Sequence, residues 1–455
     1  MIRLATLALA GLCAAGAAAE TPPPVLFRNA QVVTMDEAGV LPAADVLVQD
    51  RRIARIAPGG SLDAPGGAVV VDAAGHTLIP GLAEMHAHVP GPQMQQYAED
   101  VLLLYAAHGI TTIRGMLGHP WHLELRAALA EGRVLGPRLF TSGPSLNGNS
   151  VPDVATAQRT VREQKAAGYD FLKLHPGLSR EVFDAIAATA READIPFEGH
   201  VSDDVGLMVV LGARQRAIDH LDGYMQVLVD PQCLDGRLAP GFFGVGLTPC
   251  LQPGRMPAAV AATREAGTWM APTQVLLERW VMPPSEAELR ASAAARYLPA
   301  TVIEQWLRSR SAFLGLQGLT PDLARSFIEA RRQLIGELHR AGVPFLLASD
   351  APQVFNLPGE SALTELAIYA GSGMTGAEAL ATGTVNAARY FGATEVFGRI
   401  REGLEADLVL LAANPLEDIE AVRRIEGVML RGRWLDRAEL DGRLDALAAR
   451  VAARE

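Results

Sequence analysis

The run Pro80-Gly81-Leu82-Ala83-Glu84-Met85-His86-Ala87-His88 decides the architecture. A Pro-Gly pair opens an apolar stretch of strand length, and the stretch closes on two histidines two positions apart. On a strand, residues i and i+2 share a face, so both imidazoles can point at one ion. Such pairs also arise on solvated strands, so this one counts only with support from elsewhere. Working outward, that support comes from Phe197-Glu198-Gly199-His200, Ile218-Asp219-His220 and Leu347-Ala348-Ser349-Asp350, each an apolar run closed by a ligand-type side chain.

Strand-like runs at 82–88, 111–114, 138–142 and 171–175, two that end at His200 and His220, and two more at 268–273 and 344–350 alternate with helical stretches. That alternation is the pattern of parallel βα units. Eight such units predict an α/β fold, a closed (β/α)8 TIM-like barrel over residues 80–392, with its chemistry at the C-terminal strand ends. Outside these limits the pattern becomes short alternating runs, at 26–33, 44–48, 53–56 and 68–71 and again at 406–411 and 427–434. The segments 20–79 and 393–455 are expected to combine into one small β-sandwich domain, the second ending in a helix. Residues 274–342 exceed an ordinary crossover and carry helical patterns, so they read as an insertion at the barrel mouth. A substrate lid and an outer layer of structural helices both satisfy that pattern.

The chain has 455 residues, 49% of them hydrophobic, and carries 51 acidic against 40 basic residues. With no basic run, nothing points to nucleic acid or an anionic membrane surface, and a small molecule is the expected partner. The sequence is also compatible with a homo-oligomer. Residues 1–19 hold a lone cation, Arg3, then an apolar stretch, then Ala17-Ala18-Ala19. This is the layout of a cleaved secretory signal and is too short for a comfortable membrane span, so a periplasmic or secreted protein without stable membrane insertion is expected, an uncleaved anchor being the other reading. Of the cysteines, Cys233 and Cys250 would remain. An oxidising compartment would let them pair, and two buried free thiols is the other reading.

Lys173 is the most informative single residue. The chain has 38 arginines and only two lysines, Lys165 and Lys173, so it chooses Arg wherever a plain cation suffices. A primary amine desolvated inside a barrel can lose its proton and react with CO2 to give a carbamate, an anion able to bridge two metals. A guanidinium stays charged and cannot do this. A salt-bridging lysine is the plainer reading. Four histidines and a carboxylate at the strand ends form an N/O ligand set suited to zinc or a similar divalent ion.

The sequence resembles the amidohydrolase superfamily, in the branch of imidazolonepropionase-like proteins and metal-dependent Xaa-Pro dipeptidases (prolidases). The likeness runs through His86-Ala87-His88, Gly109-Ile110-Thr111-Thr112-Ile113-Arg114, Gly136-Pro137-Arg138-Leu139, Phe171-Leu172-Lys173, Gly199-His200-Val201, Asp219-His220, Ser349-Asp350 and Gly403-Leu404-Glu405-Ala406-Asp407-Leu408-Val409. It implies two divalent metal ions: His86 and His88 on the more buried one, His200 and His220 on the other, with carboxylated Lys173 bridging. Asp350 would bind the first metal and manage the proton of a metal-bridging hydroxide that cleaves a small amide, a dipeptide or an N-acyl amino acid. Gly115 departs from the aspartate that many relatives have there, which puts local substrate contacts in doubt.

Other polar residues near the strand ends are candidates for lesser roles. His175 shares the face of Lys173 and is expected to contact substrate. Tyr224 could donate to a developing oxyanion. Arg114 and His119 could hold a substrate carboxylate. For each, an ordinary hydrogen-bonded loop residue is the alternative. Competing functions are a mononuclear deaminase or cyclic-amide hydrolase, which generally lacks the strand-four lysine, and a non-catalytic metal- or ligand-binding protein, for which Asp350 would have no purpose.

Overall fold

The structure, a computed structural model, describes residues 22–233, 240–292, 295–315 and 319–453. The expected leader at 1–19 lies outside the described residues. Five strands come first: β1 (Val25–Val33), β2 (Val40–Gln49), β3 (Arg52–Pro58), β4 (Val69–Asp72) and β5 (Thr77–Pro80). Seven barrel strands follow: β6 (Leu82–Ala87), β7 (Ile110–Gly115), β8 (Arg138–Thr141), β9 (Leu172–Leu174), β10 (Phe197–Gly199), β11 (Ala217–Asp219) and β12 (Trp269–Ala271). Near the C-terminus come β13 (Leu408–Leu411), β14 (Ile425–Leu430) and β15 (Arg433–Asp436).

The barrel is parallel throughout. β6, β7 and β8 pair in order, a bridge between Ser142 and Phe171 passes to β9, and β9 to β12 pair in order. The eighth segment, 344–350, forms no continuous strand, yet it bonds to the strands on both sides. Met270 N–H donates to Pro344 and Leu346 N–H to Met270, while Met85 N–H donates to Leu347 and Asp350 N–H to His86, all at 2.7–3.0 Å. Those four bonds close the barrel. The seventh strand is shorter than expected because Thr273 already has φ 45°, a left-handed turn that no strand continues through.

The two terminal segments join through one ladder. β13 runs antiparallel to β5, and the eight-stranded sheet follows the order β15-β14-β13-β5-β1-β2-β3 with β4 on β1. Its own apolar core draws on both ends of the chain, from Phe27, Val46 and Leu78 to Leu408 and Met429. The sandwich expected from sequence is thus a β-rich unit in which the termini meet.

Among the described residues, 274–342 hold four α-helices, Gln274–Val281, Glu286–Ala291, Ala300–Leu314 and Pro321–Arg340. The last buries Phe327, Leu334, Ile335 and Leu338 against the barrel and belongs to its outer layer. The middle two contribute Leu289, Ile303 and Trp306 to a separate small core with Phe355 and Leu357, just beyond Asp350. The end of this stretch is thus part of the outer layer, and its middle packs on the loop after the last barrel segment. Cys233 and Cys250 are joined, with Cα atoms 5.6 Å apart. Among the described residues, no helix is long and apolar enough to cross a membrane.

The first of the four helices starts under unusual control. Glu365, fully buried, accepts the N–H groups of Gln274 and Val275 at 2.9 and 2.7 Å. Burial pushes its carboxyl up to about 8, against the opposing pull of those two N–H donors. A folded-state value above the unfolded one gives stability that is complete below about pH 4.5 and is lost as pH rises through 8. Glu365→Gln cannot ionise, so the native protein's lead over it should shrink by roughly 1 kcal/mol or more between pH 5 and 8. Denaturant unfolding across that range measures it, and a constant gap would contradict the assignment.

Candidate metal centre

His86 and His88 leave the end of β6 on one face, their ring centroids 5.4 Å apart. His86 is 1% exposed. Asp350 arrives opposite them with φ 63°, its backbone N–H bonded to the carbonyl of His86 at 3.0 Å. One carboxylate oxygen, Oδ1, stands 2.6 Å from His88 Nε2 and 3.5 Å from His86 Nε2, and Oδ2 is 3.9 Å from His220 Nε2. Burial alone would raise the Asp350 pKa, but the surrounding imidazoles of His86, His88 and His220 outweigh it and hold the carboxyl well below its usual range.

His200 follows Gly199, whose φ of 127° and contact with the Leu174 carbonyl leave no room for a Cβ. His220 follows β11 with φ 59°. Their rings lie 4.7 Å apart, and His220 lies 4.8 Å from His86. Each is fixed from outside the cluster: His200 Nδ1 pairs with Asp222 at 2.7 Å, and His220 Nδ1 meets Thr273 Oγ1 at 2.6 Å. Such outer partners set the ring orientation and leave Nε2 as the free donor. His220, Thr273 and Asp350 all take left-handed backbone conformations, costing about 1–3 kcal/mol each, and such outliers gather at functional sites.

Lys173 is fully buried on β9 and donates from Nζ to Asp219 Oδ2. That same oxygen is 3.4 Å from His86 Nδ1. Burial would raise the Asp219 pKa, yet Lys173 and His86 together hold it well below the carboxylate range. Sequence reading passed over Asp219, Asp222 and Thr273 as site residues. The two aspartates had a signal, since carboxylates flank His220 on either side. Thr273 had none.

The donor set fits divalent cations. Burial lowers His86 to about 4 and His220 well below its usual value, so both imidazoles are neutral and able to ligate. His86 Nδ1 is buried without a hydrogen bond. Two triads, His86–His88–Asp350 and His86–Asp219–His220, each place ligand atoms within 4.8 Å of one another, and they share His86.

The other expected residues divide. His175 stacks on His200 with centroids 4.8 Å apart, and its Nδ1 is buried and unpartnered, so it faces the cluster. Tyr224 does not. Its hydroxyl meets Thr263 Oγ1 at 2.6 Å and Met270 Sδ at 3.5 Å, because the turn at Gly223 (φ 80°) sends its ring into the core behind β12. Arg114 also belongs elsewhere: it points into the barrel interior, fully buried, with Nη1 on Glu198 (2.9 Å) and Tyr390 (3.0 Å) and Nη2 on Asp219 (3.4 Å). Its donors are consumed by the protein's own carboxylates, so it cannot hold a substrate's. His119 is exposed and spends Nδ1 on the N–H of Trp121, at the start of the helix Trp121–Ala130, and makes no contact with the cluster.

The model of the amidohydrolase family matches residues 77–435. Over 437 residues the chain is 28% identical to the imidazolonepropionase of Anaeromyxobacter sp. (strain K), covering 91% of this chain and 96% of that one. Among solved structures it superposes on a Xaa-Pro dipeptidase with TM-score 0.65 at 18% identity, covering 91% of this chain and all of the other. It superposes on bottromycin amidohydrolase with TM-score 0.72 at 21% identity, covering 94% and 91%. At such identities the structural likenesses speak for the fold. With the family match spanning most of the chain and the strand-end histidines in place, the protein belongs to the amidohydrolase family and is a metal-dependent hydrolase of carbon–nitrogen bonds.

Proposed function

We propose that the protein is a binuclear amidohydrolase of dipeptides or N-acyl amino acids, with zinc as the metal, Lys173 carboxylated, and the mature enzyme exported. The observation that carries the binuclear reading is the gathering of four histidines, His86, His88, His200 and His220, and of Asp350 at the strand ends, with the fully buried Lys173 beside them. Bound divalent cations supply Lewis acidity to a substrate carbonyl and lower the pKa of water. The chain's own groups do the rest. Thr273 and Asp222 hold His220 and His200 in register, and Asp350, with a carboxylate kept ionised at neutral pH, accepts a proton and returns it to the leaving amine. His175, stacked on His200, is placed to contact substrate.

A carbamate on Nζ would set a second anion beside Asp219. Two anions so close are tolerated only with cations between them, which ties the modification to metal binding. The Cys233–Cys250 bridge supports export, since such bonds persist in oxidising compartments. Arg114 no longer provides the anchor expected for a substrate carboxylate, so the dipeptide reading leans on the prolidase-like fold. A cyclic-amide substrate is a second reading, favoured by the full-length likeness to an imidazolonepropionase.

A library of dipeptides, N-acyl amino acids and cyclic amides offered to zinc-loaded protein tests the substrate class. Turnover confined to acyclic amides with a free carboxylate is expected, and turnover of cyclic amides alone would favour the second reading. A strong chelator should abolish that activity and added zinc restore it. Asp350→Asn should keep most of the metal and lose roughly a hundredfold in kcat. A near-native kcat would make Asp350 merely structural. Lys173→Arg should be as damaging as Lys173→Ala, because a guanidinium puts a cation where a bridging anion is required. Acetate or formate should partly rescue Lys173→Ala and leave Lys173→Arg inactive; a fully active Lys173→Arg would remove the carbamate.

A further inference from the structure

Two hairpins of the β-rich unit turn on two-residue loops. β2 and β3 pair Gln49 with Arg52, leaving Asp50 and Arg51 at φ 52° and 68°. β14 and β15 pair Leu430 with Arg433, leaving Arg431 and Gly432 at φ 47° and 81°. Loops of this hand favour Asn-Gly and strain a long side chain, so arginine at a left-handed position of each is costly. The loops also touch: a Cβ on Gly432 would run into the Arg51 backbone.

Both strained arginines line one cavity of about 750 Å3, together with Arg52, Arg126 and Arg138 and the carboxylates Asp50, Asp170 and Glu405, five guanidiniums against three acids. Arg138 is the first residue of β8, so the cavity lies at the N-terminal end of the barrel, opposite the histidine cluster. Two of the five guanidiniums are matched: Arg126 by Asp170 at 2.8 Å, Arg138 by Glu405 and Asp407 at 2.6 and 2.7 Å. Three meet only carbonyl oxygens among the described residues. Arg51 donates to Ala130, Arg52 to Gly403, and Arg431 Nη2 to Leu129 and Gly136. Arg431 is 8% exposed, and its Nη1 is buried with no partner at all. Burial depresses its pKa against the pull of Asp407, with Arg138 and Arg51 adding to the depression.

We infer that this cavity is a second ligand site, remote from the metal centre, that takes a small dianion such as a phosphate ester or a dicarboxylate. Paired guanidiniums suit both, since each offers a planar fork to two oxygens. Phosphate esters and dicarboxylates share closely spaced anionic oxygens, and two probes separate them: inorganic sulfate for the tetrahedral anion, succinate for the dicarboxylate.

Calorimetric titration of the full metal-loaded protein at low salt tests the site, with acetate as the monoanion control. Saturable binding of sulfate or succinate is expected, weakened about tenfold or more in Arg431→Met, the effect of losing one charge-assisted contact. Because Arg431→Met could disturb its hairpin, the exposed Arg52→Gln is the second variant and should weaken binding similarly. Arg133→Gln, whose side chain pairs with Glu131 outside the cavity, should bind as the native protein does. Binding of neither dianion, native affinity in Arg52→Gln, or equal weakening in Arg133→Gln would overturn the inference.

Discussion

The bond from Asp350 N–H to the carbonyl of His86, 3.0 Å long, joins the last barrel segment to the first strand at the level where both release their functional side chains. Glu84 reinforces the seam from within. Its carboxyl accepts the N–H of His86 at 2.8 Å and the N–H of Ser349 at 2.9 Å, as well as the Ser349 hydroxyl, while burial pushes it up to about 7. Residues 264 positions apart in sequence, His86 and Asp350, thereby become one wall, and the carboxylate of Asp350 is held over three imidazoles. Were that seam to open, the barrel would lose its closure and the cluster its anion together.

Below the cluster the barrel carries a buried polar layer beside an apolar cluster of Met85, Ala217, Ala271 and Leu346. Arg114, Glu198, Asp219, Tyr390 and Lys173 form a continuous buried network, with Arg216 lying over the Tyr390 ring at 4.1 Å. Removing one member of such a network strands a charge without water and typically costs about 3–5 kcal/mol. This network therefore supports the site energetically as well as geometrically, because Asp219 belongs to both. Arg331 does the same from the outer layer: its Nη2 donates to the His220 carbonyl at 2.9 Å and its Nε to Gln274 at 2.8 Å, bracing the left-handed turn that aims His220 inward.

The barrel was legible because strand spacing and ligand-type residues coincide at its ends, and period-two alternation alone puts His86 and His88 on one face. Lys173 stood out by composition. What stayed hidden depended on side-chain direction in three dimensions. Arg114 and Tyr224 sit near strand ends in sequence, but one points down into the barrel and the other back into the helical layer, a difference set by the turn at Gly223 and by carboxylates on β10 and β11. Thr273 was invisible because a threonine after a strand looks like any helix cap. The eighth strand's broken pairing and the shared cavity of two hairpin arginines arise from segments far apart in sequence, which no local pattern reports.

The central claim is that this strand-end cluster holds two ions rather than one. Metal content per chain, measured by elemental mass spectrometry on native protein and on Lys173→Ala, tests it most directly. About two ions per native chain, falling to one or fewer in the variant, is the result the four clustered histidines and the buried lysine predict. A single ion per fully active native chain, unchanged in Lys173→Ala, would contradict it.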